Sequence, residues 1–132
     1  MHRLLPNFDH RPAATDASIA ESQRQLGQTL PGDYVGFLKL TNGGEGSIGK
    51  IEYVMLWSAE ELGSMNELYE VQKYAPGFLV FGSNGGGEAY GFDTRTPEWP
   101  VVKLPFIEMD WNLLEPMAGS FSAFLERLCE AE

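Results

Sequence analysis

The stretch Phe78–Asp93 constrains this chain more than any other, because it reads as two strands joined by a glycine-rich turn. Aromatic and β-branched residues dominate both arms, and Asn84-Gly85 between them is a hairpin signal. Strand alternation sends Glu88, Tyr90 and Phe92 to one face and Ala89, Gly91 and Asp93 to the other. The small face of Ala89 and Gly91 allows another backbone or a helix to approach closely. The hairpin is therefore expected at the centre of a sheet, with the other elements packed around it.

Elsewhere the pattern alternates between helical and extended periods. Thr15 or Asp16 caps a first helix that runs to about Leu26 and stops at Gly27, with Ile19, Gln23 and Leu26 on one face. Pro31 opens a second helix whose buried stripe is Tyr34, Phe37, Leu38 and Thr41, and Asn42-Gly43-Gly44 ends it. Lys50–Trp57 reads as a strand with Ile51, Tyr53, Met55 and Trp57 on one face and Glu52, Val54 and Leu56 on the other. Ser58-Ala59-Glu60-Glu61 is a capping box that starts a third helix. That helix is expected to break near Gly63-Ser64, to resume from Met65 to about Tyr74, and to be anchored by Leu62, Leu68 and Val71.

After the hairpin, Thr94–Glu98 reads as a turn and Trp99–Leu104 as a strand antiparallel to Gly87–Asp93, with Pro100 placing its start near an edge. Phe106–Trp111 reads as a short strand or an ordered loop. Ser120 caps a last helix that buries Phe121, Phe124, Leu125 and Leu128. Residues 1–14 lack a clean period and read as a loosely attached N-terminal arm, with Leu4, Leu5 and Phe8 docking on the body. Residues 15–132 then form one α+β domain, mainly an antiparallel sheet built around the central hairpin and flanked by helices.

Composition excludes several functions. A chain of 132 residues, 43% of them hydrophobic, suffices for one core. Its 19 acidic residues against 9 basic ones give a net charge of −10, which argues against binding bare nucleic acid and favours a basic partner. No apolar run approaches the ~20 residues that a membrane helix needs, and Met1–Pro6 is too polar for a signal peptide. The single cysteine, Cys129, fits a reducing cytoplasm and forms no internal disulfide.

The search for chemistry is mostly negative. Gly44-Glu45-Gly46-Ser47-Ile48-Gly49 matches G-x-G-x-x-G, but it follows a helix and leads into a strand, and Glu45 would repel a phosphate. It reads as a flexible connecting loop. His2 and His10 lack companions at metal-site spacing. Glu88 and Asp93 would be an acid/base pair only if strand alternation did not separate them. No catalytic residue, cofactor or metal is expected. What the sequence does offer is acidity beside an aromatic residue. Glu60, Glu67 and Glu70 line the outer face of the third helix, Glu88 stands at the hairpin end, and Glu108 and Asp110 flank Trp111. Carboxylates with an exposed tryptophan supply both steering and a hot spot, so these seven residues are the candidate partner-binding set.

Several motifs together resemble one family. They are Leu30-Pro31-x-Asp33-Tyr34-x-x-Phe37-Leu38, Asn42-Gly43-Gly44, Phe81-Gly82-Ser83-Asn84-Gly85-Gly86-Gly87-Glu88-x-Tyr90-x-Phe92-Asp93, a Pro100-Val101-Val102 strand and a terminal Ser120-x-x-x-Phe124-Leu125 helix. Their order and spacing resemble the SUKH superfamily, the Smi/Knr group, over nearly the whole chain from about Ala17. The resemblance implies an α+β fold. It also implies a non-catalytic module that binds a protein, as bacterial immunity proteins bind and neutralise toxin domains, often nucleases; the charge and the lone cysteine add the expectation of a basic partner and a cytoplasmic setting. A regulatory scaffold is the second reading and a small-ligand binder the third. The family has no invariant catalytic set, so no site residue is carried over from it.

Overall fold

The computed structural model describes residues 7–48 and 52–130. Along the chain run β1 (Asn7–His10), α1 (Asp16–Leu26), α2 (Gly32–Leu38), β2 (Gly44–Ile48), β3 (Glu52–Leu56), α3 (Ala59–Leu68), α4 (Val71–Tyr74), β4 (Phe78–Ser83), β5 (Glu88–Asp93), β6 (Val101–Pro105), a 3-10 turn at Trp111–Leu113, β7 (Glu115–Ala118) and α5 (Phe121–Glu130). The strands form one seven-stranded antiparallel sheet in sequence order, so each lies beside its neighbours in the chain and the hairpin β4–β5 occupies the middle. This is the expected α+β domain.

One face of the hairpin meets α2 and α5 through aromatic rings. Tyr34 and Phe37 of α2, Phe81, Tyr90 and Phe92 of the hairpin, and Phe121 and Phe124 of α5 are all buried. Their rings interlock, with Tyr34–Phe121 centroids 4.8 Å apart, Phe81–Phe92 4.9 Å and Tyr90–Phe124 5.0 Å. The sequence motif around Asp33 has a structural purpose here. One carboxylate oxygen accepts from the Tyr34 N–H at 2.8 Å and the other from the Ser122 N–H at 2.9 Å, while Ser120 Oγ accepts from Ala123 at 3.1 Å. Asp33 thus joins the first turns of α2 and α5, where free N–H groups and the helix dipole both favour an anion.

The sheet is split on one side of the hairpin. β3 pairs with β4 only at Met55–Ser83 and Leu56–Gly82. Further along, the edge of β4 is taken up by side chains. Asn66 Nδ2 donates to Val80 O at 2.9 Å and Asn66 Oδ1 accepts from Val80 N at 2.9 Å. Gln72 Nε2 donates to Phe78 O at 2.7 Å. Two amide side chains do the work of a neighbouring strand, because buried strand groups must be paired. They also pin α3 and α4 against the sheet.

Several expectations are corrected. The segment read as a loosely attached N-terminal arm contributes β1, which pairs with β2, although Phe8 is buried on the body as expected. Gly44–Ile48, read as a flexible loop, is the strand β2 between β1 and β3. Glycine suits it because a Cβ on Gly44 would lie 2.6 Å from the Phe8 ring. α3 is continuous through Gly63 and ends at Leu68, with the break at Glu70, whose φ is +51°. Gly63 stays helical and lets α1 approach, since a Cβ there would lie 2.4 Å from Gln25 Oε1. Leu62 and Val71 are buried as expected, but Leu68 is exposed. β6 starts at Val101 and runs between β5 and β7, so Pro100 precedes an internal strand; β7 was not foreseen. Phe106–Trp111 is an ordered loop entering the 3-10 turn. His2, Leu4, Leu5, Gly49, Lys50 and Ile51, and the side chains of His10, Ile48, Glu52, Leu128 and Cys129, lie outside the described residues.

Candidate protein-binding surface

α3 is fixed at its start by the predicted capping box, in which the Ser58 N–H donates to Glu61 Oε1 at 2.9 Å. Asn42 adds a second clamp. Its Oδ1 accepts from Ala59 N and its Nδ2 donates to Glu60 Oε1, both at 2.7 Å. That side-chain bond, aided by a backbone N–H, holds the Glu60 carboxyl below the usual carboxylate range. Glu60 is therefore tied to the connection between α2 and β2. Glu61 faces Arg11 of the N-terminal segment at 3.9 Å, so the helix face is not purely anionic.

The other end of α3 is different. After Leu68 the left-handed conformation of Glu70 turns the chain into α4. A non-glycine residue there carries a conformational cost of about 1 kcal/mol, which the surrounding contacts must offset. Glu70 pairs with Lys73 at 3.4 Å, a contact that raises the lysine pKa, and the Lys73 ammonium sits 5.4 Å from the Tyr74 ring centroid.

The loop after β6 is laid against this turn at two points. The Phe106 ring packs on Tyr69 with centroids 4.6 Å apart, and Tyr69 stacks on Trp57 at 6.3 Å. Five residues on, Trp111 Nε1 donates to Pro76 O at 2.8 Å and its ring meets Phe78 edge-on at 5.6 Å. The Arg95 guanidinium lies 3.5 Å from the centroid of the Trp111 ring. Arg95 is itself aimed by Asp93, through Nε at 2.9 Å and a terminal nitrogen at 3.0 Å. Those bonds hold the Asp93 carboxyl below its ordinary range against the opposing effect of burial. Asp110 accepts from Asn112 N at 2.9 Å and shapes the 3-10 turn.

These two joins put residues 68–76 beside residues 106–113. The two segments carry exposed apolar side chains: Leu68 (69% exposed), Tyr69 and Tyr74 on one, Ile107 (83%) and Leu113 on the other. Glu67 and Glu70 come from one segment, Glu108 and Asp110 from the other, and all four are exposed. Five of the seven candidate residues thus lie on or next to these two segments, Glu67, Glu70, Glu108, Asp110 and the half-buried Trp111, and the structure holds the last in place through Pro76 and Arg95. It places the other two elsewhere. Glu60 is held by Asn42 at the far end of α3. Glu88 pairs with Lys103 at 3.6 Å, and Lys103 also meets Glu115 of β7 at 3.4 Å.

Sequence reasoning missed the apolar centre of this surface. A signal existed for Leu68: counted from the Ser58 cap, it falls on the helix face of Glu61 and Ser64 rather than that of Leu62. No comparable signal marks Ile107, which sits in a loop. The glycine run closes on itself, because Asn84 Oδ1 accepts from Gly86 N at 2.8 Å and from Glu88 N at 3.2 Å. Gly85 and Gly87 have φ of +75° and +99°, so turn geometry accounts for both.

Among the described residues no cluster of three or more His, Cys, Asp or Glu is placed to hold a metal ion. No helix among them is long and apolar enough to cross a membrane. The comparison with curated proteins returns no match. The SMI1/KNR4 family model (SUKH-1) matches residues 13–127, from just before α1 into α5, and the chain belongs to that family.

Proposed function

We propose that this domain is a non-catalytic cytoplasmic binding module that neutralises a basic toxin domain by covering it, a nuclease being the class its charge fits best. The observation that carries this reading is that two adjoining segments each combine exposed apolar side chains, Leu68, Tyr69 and Tyr74 on one and Ile107 and Leu113 on the other, with exposed carboxylates, Glu67 and Glu70 beside the first and Glu108 and Asp110 on the second. An apolar and aromatic centre with a charged rim is the anatomy of a protein interface. The net charge of −10 would steer a cationic partner toward it. Membership of the SMI1/KNR4 family supports the reading.

The test is co-expression and kinetic binding with toxin domains encoded beside this chain. Replacing Leu68 and Ile107 together by Asp should weaken binding by about 30-fold or more, mainly through faster dissociation. Charge reversal of Glu67 and Glu70 to Lys should slow association and flatten its salt dependence. A cognate toxin bound equally well by the Leu68→Asp/Ile107→Asp variant would show that another surface is used. Failure of the protein to bind or inhibit any such toxin would remove the neutralisation reading.

A further inference from the structure

Elsewhere on the molecule lies an open groove of about 750 Å³ that shares no residue with the surface proposed above. The connection from α1 to α2 forms one wall with Gln28, Thr29 and Pro31, and the turn from β5 to β6 forms the other with Pro97, Glu98 and Trp99. Both walls are fixed from within the domain. Gln23 Oε1 accepts from Leu30 N at 2.8 Å, and Gly27, at φ +69°, donates its N–H to Gln23 O at 2.9 Å. Across the groove the half-buried Trp99 has a left-handed backbone, φ +51°, which a bulky residue takes only where its surroundings impose it. Its ring rests on Phe92 with centroids 5.7 Å apart.

What the groove can recognise follows from its free groups. The Trp99 indole N–H, the Gln28 amide and the Thr29 hydroxyl have no hydrogen-bond partner among the described residues. The indole N–H can only donate, and buried tryptophans usually give it a partner. Charge does not favour an anion here. Arg24 is closed onto both carboxylate oxygens of Glu21, and Glu98, with no ion-pair partner among the described residues, adds a negative charge. The best-matched ligand is therefore neutral, offers carbonyl acceptors and has flat apolar faces to lie against Trp99, Pro31 and Pro97. A proline-rich strand meets all three conditions. Each proline supplies a C=O and a ring but no N–H, and the extended helix is already formed in solution. We propose that this groove binds a proline-rich peptide segment in the polyproline II conformation, its rings on Trp99 and the two prolines and its carbonyls facing the Trp99 indole N–H, Gln28 and Thr29. The site is independent of the neutralisation reading.

The test uses the whole chain and needs no toxin. Blocked hexaproline, a blocked Gly-Ser peptide of the same length and maltotriose, a neutral sugar, are titrated while amide and indole N–H shifts are followed by NMR. The proline peptide should give saturable shifts at the Trp99 indole N–H and at the amides of Gly27, Gln28 and Glu98. The Gly-Ser peptide, which is not pre-organised, should bind at least about tenfold more weakly. Trp99→Phe keeps a ring against Phe92 and removes the N–H, while Gln28→Ala/Thr29→Val removes two polar groups at exposed positions. Each variant should weaken the proline peptide by about fivefold, as the loss of a hydrogen bond predicts. Tm is measured for both, and if Trp99→Phe loses the fold the exposed pair carries the test. Leu68→Asp/Ile107→Asp should bind the proline peptide like the parent, so this site and the toxin surface stand or fall separately. Absence of saturation, shifts centred elsewhere, equal affinity for the two peptides, tighter binding of maltotriose, or parent affinity in Gln28→Ala/Thr29→Val would overturn the proposal.

Discussion

Asn66 is the residue whose replacement should most directly expose how this fold is held. It is buried at 8% exposure, and its side-chain amide pairs with both the N–H and the C=O of Val80, a fully buried residue in the central strand. In Asn66→Ala both groups of the fully buried Val80 lose their partner. Each orphaned group costs about 1–3 kcal/mol, so the variant should lose about 2–6 kcal/mol. Against a typical total of about 5–15 kcal/mol, that is a large share of the stability. Asn66→Asp is a sharper probe. One carboxylate oxygen would still accept from Val80 N, but the other would replace an Nδ2 that donates to Val80 O at 2.9 Å and Leu62 O at 2.8 Å. Only the protonated acid can donate there, so its folded-state pKa must rise above the unfolded value of about 3.9. A raised carboxyl pKa means the stability is fully present below the unfolded pKa and is lost as pH rises through the folded one. Asn66→Asp should therefore be closest to the parent near pH 4 and fall behind toward pH 8. Guanidinium unfolding followed by tryptophan fluorescence at several pH values reads both effects, with an unchanged m-value confirming that the native state is intact. An Asn66→Ala cost under about 0.5 kcal/mol would refute the reasoning. So would an Asn66→Asp stability independent of pH over this range.

Three further outcomes are expected. Gly91→Ala should cost about 2–4 kcal/mol in the same unfolding assay, because a Cβ there would lie 2.5 Å from Leu79 O and 2.6 Å from the Phe78 ring, whereas Gly86→Ala, with nothing nearer than 3.6 Å, should stay within about 0.5 kcal/mol. Tyr34→Phe should be neutral or stabilising by up to about 1 kcal/mol, since the hydroxyl is buried without a hydrogen-bond partner among the described residues and burial pushes its pKa upward. Because Arg95 depresses the Asp93 carboxyl, that pair stabilises the fold above the ordinary aspartate range and loses its effect as pH falls through the depressed folded value. Arg95→Met should accordingly be less stable near pH 6 by about 1 kcal/mol, allowing for solvent screening of the half-exposed guanidinium, and the gap should narrow as pH falls through the depressed Asp93 value.

The features legible in the sequence are those that a few neighbouring residues settle. Thr15 and Gly27 bound α1 as read, Ser58 and Glu61 form the expected capping box, and Ser120 starts α5, because caps act through hydrogen bonds within one turn. The apolar period of Tyr34, Phe37 and Leu38 identified that part of the core for the same reason, whereas β4 and β5 are buried on both faces, which alternation along the strands does not reveal. Leu68 was misread because an apolar residue on a helix was taken as an anchor without counting from the cap.

What the sequence could not show depends on partners distant in the chain. β1 and β2 hold one another through backbone pairing that their glycine, asparagine and acidic residues do not advertise, and β7 exists because β6 offers it an edge. The left-handed turn falls at Glu70 rather than at Gly63, which stays helical opposite the Gln25 side chain of α1. The candidate surface likewise depends on contacts across more than 30 residues of chain. Tyr69 meets Phe106, and Trp111 reaches Pro76, and those contacts bring the loop after β6 against the α3–α4 turn. Local sequence specifies which face of an element is apolar; which faces remain uncovered is decided when the whole chain has packed.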